Sequence, residues 1–234
     1  MSLITLVATC LWFLLVSSFS GANEANVNCL RSIQSQVKDP NGYLLSWVFG
    51  NETAGYICKF AGVTCWHDDE NRVLSIKLSG FGLGGEFPLG IYNCTDLVVL
   101  DLSYNQFSGE IPASLPNINF LNTLMLQHNQ FTGQLPPELA SLRRLKQFSV
   151  AYNHLTRPVP EFNNSSIFGL ESFANNKGLC GPPMDYCTEP EEEMIRFGMI
   201  GAAVSAAVFA PLGVFLDWFF NGRKEKQGNI RHRS

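Results

Sequence analysis

The chain has 234 residues, a formal net charge of −4 and 46% hydrophobic residues, which suits one globular body with appendages. There is no basic excess to mark a nucleic-acid binder. Seven cysteines are many for a cytosolic chain and ask for an oxidising compartment.

The N-terminus supplies that compartment. Leu3 to Val16 is a mostly apolar run followed by the small residues Ser17, Ser18, Ser20, Gly21 and Ala22. Residues 1–22 therefore read as a secretory signal peptide, which removes Cys10 on cleavage. Residues 23–72 read as an N-terminal cap. VNCLRSIQSQV at 27–37 places Leu30, Ile33 and Val37 on one helical face, and DPNG at 39–42 stops the helix. LLSW at 44–47 and CKFAGVTCW at 58–66 complete a segment able to cover the first turn of a solenoid. Cys58 and Cys65 are expected to form a disulfide. Zinc is the competing reading, but His67, Asp68, Asp69 and Glu70 look like a solvated turn and no second ligand pair has metal spacing, so no metal is assigned.

Residues 73–168 read as four repeats. The second and third are two copies of one pattern. Leu97, Leu100, Leu102, Asn105, Phe107, Gly109, Ile111 and Pro112 recur at one constant offset as Leu121, Leu124, Leu126, Asn129, Phe131, Gly133, Leu135 and Pro136. This is a leucine-rich repeat in its plant-type form, and its period means a solenoid. In L-x-L the apolar side chains alternate with exposed ones, as a short strand requires, so successive turns build a short parallel sheet. Asn105 and Asn129 turn the chain inward, where a carboxamide can bond orphaned backbone groups. The segment after each Gly returns along the opposite face and adds a second apolar ridge.

The first repeat begins at Val73 and contains Gly80-Phe81-Gly82-Leu83-Gly84-Gly85, which satisfies G-x-G-x-x-G. A dinucleotide site needs a helix opening there, and Pro88 and the repeat register deny it. No cofactor is expected. Cys94 occupies the slot of Ile118 and Leu142, so a buried free thiol and a bond to Cys29 are both open, as is a Cys29–Cys58 pair. The fourth repeat keeps Phe148, Val150, Asn153, Leu155 and Pro160 but has Arg157 in place of Gly, and beyond it the register dissolves.

Residues 169–190 read as a C-terminal cap and the start of an acidic spacer, with Cys180 and Cys187 expected to pair. Sequons at Asn51, Asn93, Asn163 and Asn164 are expected glycan sites. Phe197 to Leu216 is uncharged and long enough to cross a bilayer, giving a transmembrane helix at 195–220. Trp218, Phe219 and Phe220 form an interfacial belt, and the basic tail at 221–234 marks the cytoplasmic side. The expected architecture is an α/β leucine-rich-repeat solenoid with disulfide caps and one membrane helix, single-pass type I, with the repeats outside.

The repeats resemble ectodomains of plant leucine-rich-repeat receptor kinases. The finer match lies in CLRSIQSQVKDPNGYLLSWVF, YICKFAGVTCWHDDENRVLSIKLSG, FLNTLMLQHNQFTG and FANNKGLCGPPMDYC. These are similar to the BIR family, catalytically inactive receptor-like kinases whose small ectodomains bind SERK co-receptors. The likeness runs from about Asn28 to Lys226. It departs in two respects: family members typically carry five repeats where four are counted here, and they continue into a pseudokinase that has no room after Asn221. The resemblance implies a non-catalytic plasma-membrane protein that occupies SERK-type ectodomains, and other receptor kinases besides, and regulates immune or growth signalling negatively. The rival readings are a ligand-sensing receptor-like protein signalling through a recruited adaptor kinase, or a non-functional truncated paralogue. No catalytic constellation is traceable.

Strand positions between the core leucines face the concave side. The binding residues expected there are Lys77, Val99, Asp101, Ser103, Tyr104, Thr123, Met125, Gln127, His128, Gln147, Ser149 and Tyr152. Tyr104, His128 and Tyr152 share one register position and form a ladder on that face. Exposed aromatics and Met suit a protein contact.

Overall fold

The computed structural model describes residues 24–50, 53–162 and 168–187. The chain divides into two units, Met1–Tyr186 and Cys187–Ser234, and every element described below belongs to the first. The expected signal peptide, membrane segment, basic tail and the sequons at Asn51, Asn163 and Asn164 lie outside the described residues. Among the described residues no helix is long and apolar enough to cross a membrane.

The cap opens with α1 (residues 24–36), whose Cys29, Leu30 and Ile33 are fully buried. Asp39 ends it by accepting hydrogen bonds from the backbone N–H groups of Tyr43 and Leu44, and Gly42 supplies the left-handed turn at φ 72°. Trp47 is buried and its indole N–H donates to the Ala61 carbonyl. The Gln34 amide donates to the carbonyls of Leu44 and Trp47, which fastens the helix to the segment that follows.

Ten short strands follow: β1 (Val63–Cys65), β2 (Val73–Lys77), β3 (Gly84–Glu86), β4 (Val99–Asp101), β5 (Gln106–Glu110), β6 (Thr123–Met125), β7 (Gln130–Gln134), β8 (Gln147–Ser149), β9 (His154–Pro158) and β10 (Gly178–Cys180). They build two five-stranded sheets in the orders β1-β2-β4-β6-β8 and β10-β9-β7-β5-β3. Among these ten strands all pairings are parallel except β1 on β2, where the cap strand runs backwards against the first repeat. In the first sheet the parallel pairings join residues one repeat period apart, so Leu100 sits beside Leu124 and Leu124 beside Phe148. The sequence period is thus the strand register itself.

The second sheet is a feature the repeat pattern did not announce. It is built from stretches that read as return loops, such as Gln106–Glu110 after Asn105 and Gln130–Gln134 after Asn129. Each turn then crosses back through a short 3-10 segment, as at Leu89–Asn93, Leu115–Asn117 and Pro137–Ser141. Among the described residues the helical part of the expected α/β class is α1 and single 3-10 turns. Between the sheets lies one continuous core in which Leu78, Leu102, Leu126 and Val150 are fully buried. Each such side chain contributes about 1.5–3 kcal/mol relative to exposure. Phe107 and Phe131 lie parallel with centroids 6.3 Å apart, and both are fully buried.

Buried asparagines stitch the turns together. Asn129 Nδ2 donates to the carbonyls of Leu102 and Leu126 while its Oδ1 accepts from the Phe107 N–H. Asn105, Asn153 and Asn176 make the equivalent bonds one turn before and one and two turns after. Asn176 corrects the expectation that the register dissolves after Pro160. The chain makes a fifth, degenerate turn in which Asn176 continues the asparagine column, β10 continues the second sheet, and Gly181 stands one full period after Arg157.

The question left open at Cys94 is closed. Cys29 and Cys94 are bonded, with Cα atoms 5.5 Å apart and a sequence separation of 65. Cys58 is bonded to Cys65, and Cys180 and Cys187 are both disulfide-bonded. At the G-x-G-x-x-G stretch the chain enters strand β3 rather than a helix.

Candidate protein-interaction surface

The outward residues of the first sheet form columns across the turns. One column runs Ser75, Val99, Thr123, Gln147 and the next Lys77, Asp101, Met125, Ser149. Lys77 and Gln147 are exposed, while Val99, Asp101, Met125, Gln127, His128 and Ser149 are half-buried. Ser103 and Thr123 are a correction, because both are buried. Ser103 Oγ donates to Asp101 Oδ1 at 2.5 Å and lies 2.8 Å from Ser79 Oγ, and Thr123 Oγ1 donates to Gln147 Oε1 at 3.3 Å. Short hydroxyl side chains sink beneath their taller neighbours and serve the sheet. They shape the face without presenting atoms to a partner.

The column just past the strands is the distinctive one. Tyr104, His128 and Tyr152 have φ of 54°, 56° and 55°, the left-handed region that bulky residues avoid. Each N–H donates to the carbonyl one turn on, at Gln127, Ala151 and Ala174. The shared backbone geometry throws the three rings into one stack. Tyr104 and His128 lie with centroids 4.3 Å apart and an interplanar angle of 14°, and His128 and Tyr152 at 4.1 Å and 12°. Tyr104 and Tyr152 remain 56% and 49% exposed. The column ends in Gly80 on one side and Asn175 on the other, both also at positive φ. The result is a three-ring ribbon, rigid because its rings hold one another, with two phenolic hydroxyls along its edge. Such aromatics give contact area at small entropic cost.

A second exposed strip, unnoticed in the sequence, lies at the flank of the same sheet. Arg72, Asp96, Phe120 and Arg144 are spaced by the repeat period. Arg72 is 2.8 Å from Asp96 and its guanidinium lies 5.3 Å from the Trp66 ring centroid. The hydrogen bond to Asp96 raises the Arg72 pKa above its ordinary value. The Trp66 indole N–H donates to the Asp96 carbonyl, and Arg144 sits 5.1 Å over the exposed Phe120 ring. The repeat spacing was the signal that would have found this strip.

A groove beside the second sheet is lined by Glu86, Phe87, Leu89, Ile111 and Glu138 among others, and another, at the C-terminal end, by Val159, Phe162, Phe168 and Pro183 among others; the described residues that line them include no Ser, Thr, Cys, His or Lys. No group of three or more His, Cys, Asp or Glu among the described residues is placed to hold a metal ion.

Residues 23–66 match the leucine rich repeat N-terminal domain family, and residues 96–118 and 120–142 the leucine rich repeat family. BIR2 of Arabidopsis thaliana, an inactive LRR receptor-like serine/threonine-protein kinase, is 42% identical over 92 residues, which is 39% of this chain and 15% of BIR2. The crystal structure of the BIR2 ectodomain aligns at 37% identity and a TM-score of 0.57, covering 69% of this chain and 98% of that ectodomain. The chain belongs to the BIR-type family of plant leucine-rich-repeat receptor-kinase ectodomains.

Two further likenesses bear on this BIR-type chain. A chain of the BIR3–SERK2 complex from A. thaliana aligns at 34% identity and a TM-score of 0.55, covering 70% of this chain and 99% of that one. An A. thaliana leucine-rich repeat receptor-like protein kinase is 69% identical over 99 residues, 42% of this chain and 16% of the relative. The matched stretch thus spans about a sixth of these curated relatives.

Proposed function

We propose that this BIR-type ectodomain is a non-catalytic binding module that docks SERK-type co-receptor ectodomains through the first sheet, with the Tyr104–His128–Tyr152 ribbon as its anchor. The observation that carries the reading is the ribbon itself. Three half-exposed rings are held in a strained backbone and stacked at 4.3 and 4.1 Å on the outward side of the sheet. Preordered aromatics of this kind concentrate binding energy. Support for the partner comes from the family, one member of which was crystallised with SERK2.

Anchored in the plasma membrane by residues 195–220, with the repeats outside, the protein would share a surface with its partners. Confinement to one membrane raises effective concentration, so moderate affinity suffices to occupy a co-receptor and withhold it from ligand-bound receptors. Negative regulation follows as competition by mass action.

The test is binding of the soluble ectodomain, residues 24–187, to the SERK2 ectodomain. A Kd of about the micromolar range, weakened at least tenfold in Tyr104→Ala/Tyr152→Ala while the fold is retained, supports the reading. Absence of binding by the folded wild type, or full binding by the double variant, would sink it.

A further inference from the structure

Asn93-Cys94-Thr95 is a glycosylation sequon whose middle residue is a disulfide cysteine. Asn93 and Thr95 are exposed, whereas Cys94 is fully buried and bonded to Cys29. The backbone around it is closed. Asn93 ends the 3-10 segment Leu89–Asn93, the Cys94 N–H donates to the Ile91 carbonyl at 3.0 Å, and the Cys94 carbonyl accepts from Leu97 at 3.1 Å. The same segment is clamped on α1. The Gly90 N–H donates to Gln36 Oε1, and a Cβ at Gly90 would come within 2.4 Å of the Ser32 side chain.

Glycan transfer makes opposite demands. The enzyme must draw the sequon out of the substrate as a loose loop, with the Asn amide and the hydroxyl two residues on both inside its site. The Asn Nδ2–C1 bond forms as the C1–O bond to a lipid-pyrophosphate-linked oligosaccharide breaks. The lipid pyrophosphate leaves and the amide proton passes to a base of the enzyme. A sequon pinned at its central residue to a helix 65 residues upstream cannot be drawn out in this way.

We propose that Asn93 is an N-glycan attachment site that accepts its glycan only before the Cys29–Cys94 bond closes, so that closure switches the site off. The proposal rests on the secretory part of the functional reading, which the disulfides of the cap support. Bond closure transfers two electrons and two protons from the two thiols to a protein disulfide of the oxidising compartment, by exchange through a mixed disulfide. Both events begin at one moment. Cys29 has been waiting while the 65 residues up to and including Cys94 were made, at about 5–20 residues per second, and Cys94 emerges beside its own sequon. A race between transfer and closure is built into the chain. Its winner leaves no steric conflict, because the Asn93 side is exposed in the folded protein. The glycan stands on a return segment, off the strands that carry the aromatic ribbon.

The full chain, with a reporter sequon placed immediately before residue 24, is expressed in plant cells and pulse-labelled, and the glycan-bearing fraction of the Asn93 peptide is measured by mass spectrometry. The arms are wild type, Cys29→Ser, and wild type given a brief dithiothreitol pulse, with Asn93→Gln to identify the peptide. Occupancy about twofold or more higher in both the Cys29→Ser and dithiothreitol arms, and no transfer onto oxidised folded protein by isolated microsomes, is the expected result. The dithiothreitol arm keeps the test independent of how well Cys29→Ser folds. An Asn93 that stays bare in every arm while the reporter is glycosylated overturns the site, and equal occupancy in all arms overturns the competition. A bare reporter overturns the secretory reading and the proposal together.

Discussion

The Tyr104 and His128 rings lie 4.3 Å apart and nearly parallel, and both residues hold left-handed backbone that glycine would occupy more comfortably. The strain costs about 1–2 kcal/mol per residue, while an aromatic pair returns about 0.5–1.5 kcal/mol beyond its buried area. The two terms are comparable, which yields a test of an inverted preference. His128→Ala keeps the strain and loses both stacks, and His128→Gly loses the stacks and relieves the strain. The glycine variant is expected to be about 1 kcal/mol more stable than the alanine variant. Urea unfolding of residues 24–187 measures it; a more stable alanine variant would refute the strain.

Arg157 presents the same strain without compensation. It has φ 76° at the repeat position that Gly109, Gly133 and Gly181 hold in other turns, and it is exposed. Arg157→Gly is expected to raise stability by about 1 kcal/mol, and Gly109→Ala to lower it by a similar amount. The nearest atom to an added Cβ at Gly109 is Glu86 Cγ at 3.5 Å, so the alanine cost is conformational and not a clash. Paired urea midpoints decide both.

Asn129 is buried and bonded to backbone groups on two turns. Asn129→Ala leaves the Phe107 N–H unpaired in the core, at about 1–3 kcal/mol, and takes one of two asparagine donors from each of the Leu102 and Leu126 carbonyls, which Asn105 and Asn153 still serve. Asn129→Asp is expected to be worse at neutral pH, because the carboxylate keeps the acceptor but faces carbonyl oxygens where Nδ2 stood. Recovery of the Asp variant as pH falls toward the carboxylate range, read from the urea midpoint, would identify charge as the cause.

The two cap disulfides close loops of very different size, 65 against 7 residues of separation. Chain entropy makes opening the first costlier by about 2 kcal/mol. Cys29→Ala/Cys94→Ala against Cys58→Ala/Cys65→Ala, compared by thermal and urea unfolding, gives the difference. Equal losses would show that local packing dominates.

The flank pair Arg72–Asp96 is short at 2.8 Å yet the arginine is 47% exposed. Asp96→Asn is expected to cost less than about 1 kcal/mol, with the loss fading at high salt. Arg72→Ala, which also removes the contact with Trp66, is expected to cost more, and a part of that cost should persist in salt. Identical salt dependence of the two variants would deny the ring contact any role.

The repeat period carried most of this structure. It located the first sheet, its register, the asparagine column and the aromatic ribbon, because each is a fixed position repeated in space. What it hid has physical reasons. The second sheet escaped because its strands carry a positive-φ glycine where alternation should be, as at Gly109 and Gly133. The fifth turn escaped because Phe173 stands where the pattern has leucine and one residue is missing between Asn153 and Asn176. Ser103 and Thr123 were read as surface because alternation says which way a side chain points, not whether its neighbours overtop it. The Cys29–Cys94 bond joins residues 65 apart, a span on which repeat spacing is silent.

Both sheets begin against a barrier. The reversed strand β1 closes the first, and the Lys38–Gly84 bridge, with paired N–H···O contacts of 2.8 and 2.9 Å, closes the second. Every later strand repeats the one before it in parallel. Duplicating one repeat would therefore lengthen both sheets by one rung, about 4.8 Å, and leave that first end untouched. The molecule is a ruler with a fixed zero, and the reach of its aromatic edge changes only in whole divisions.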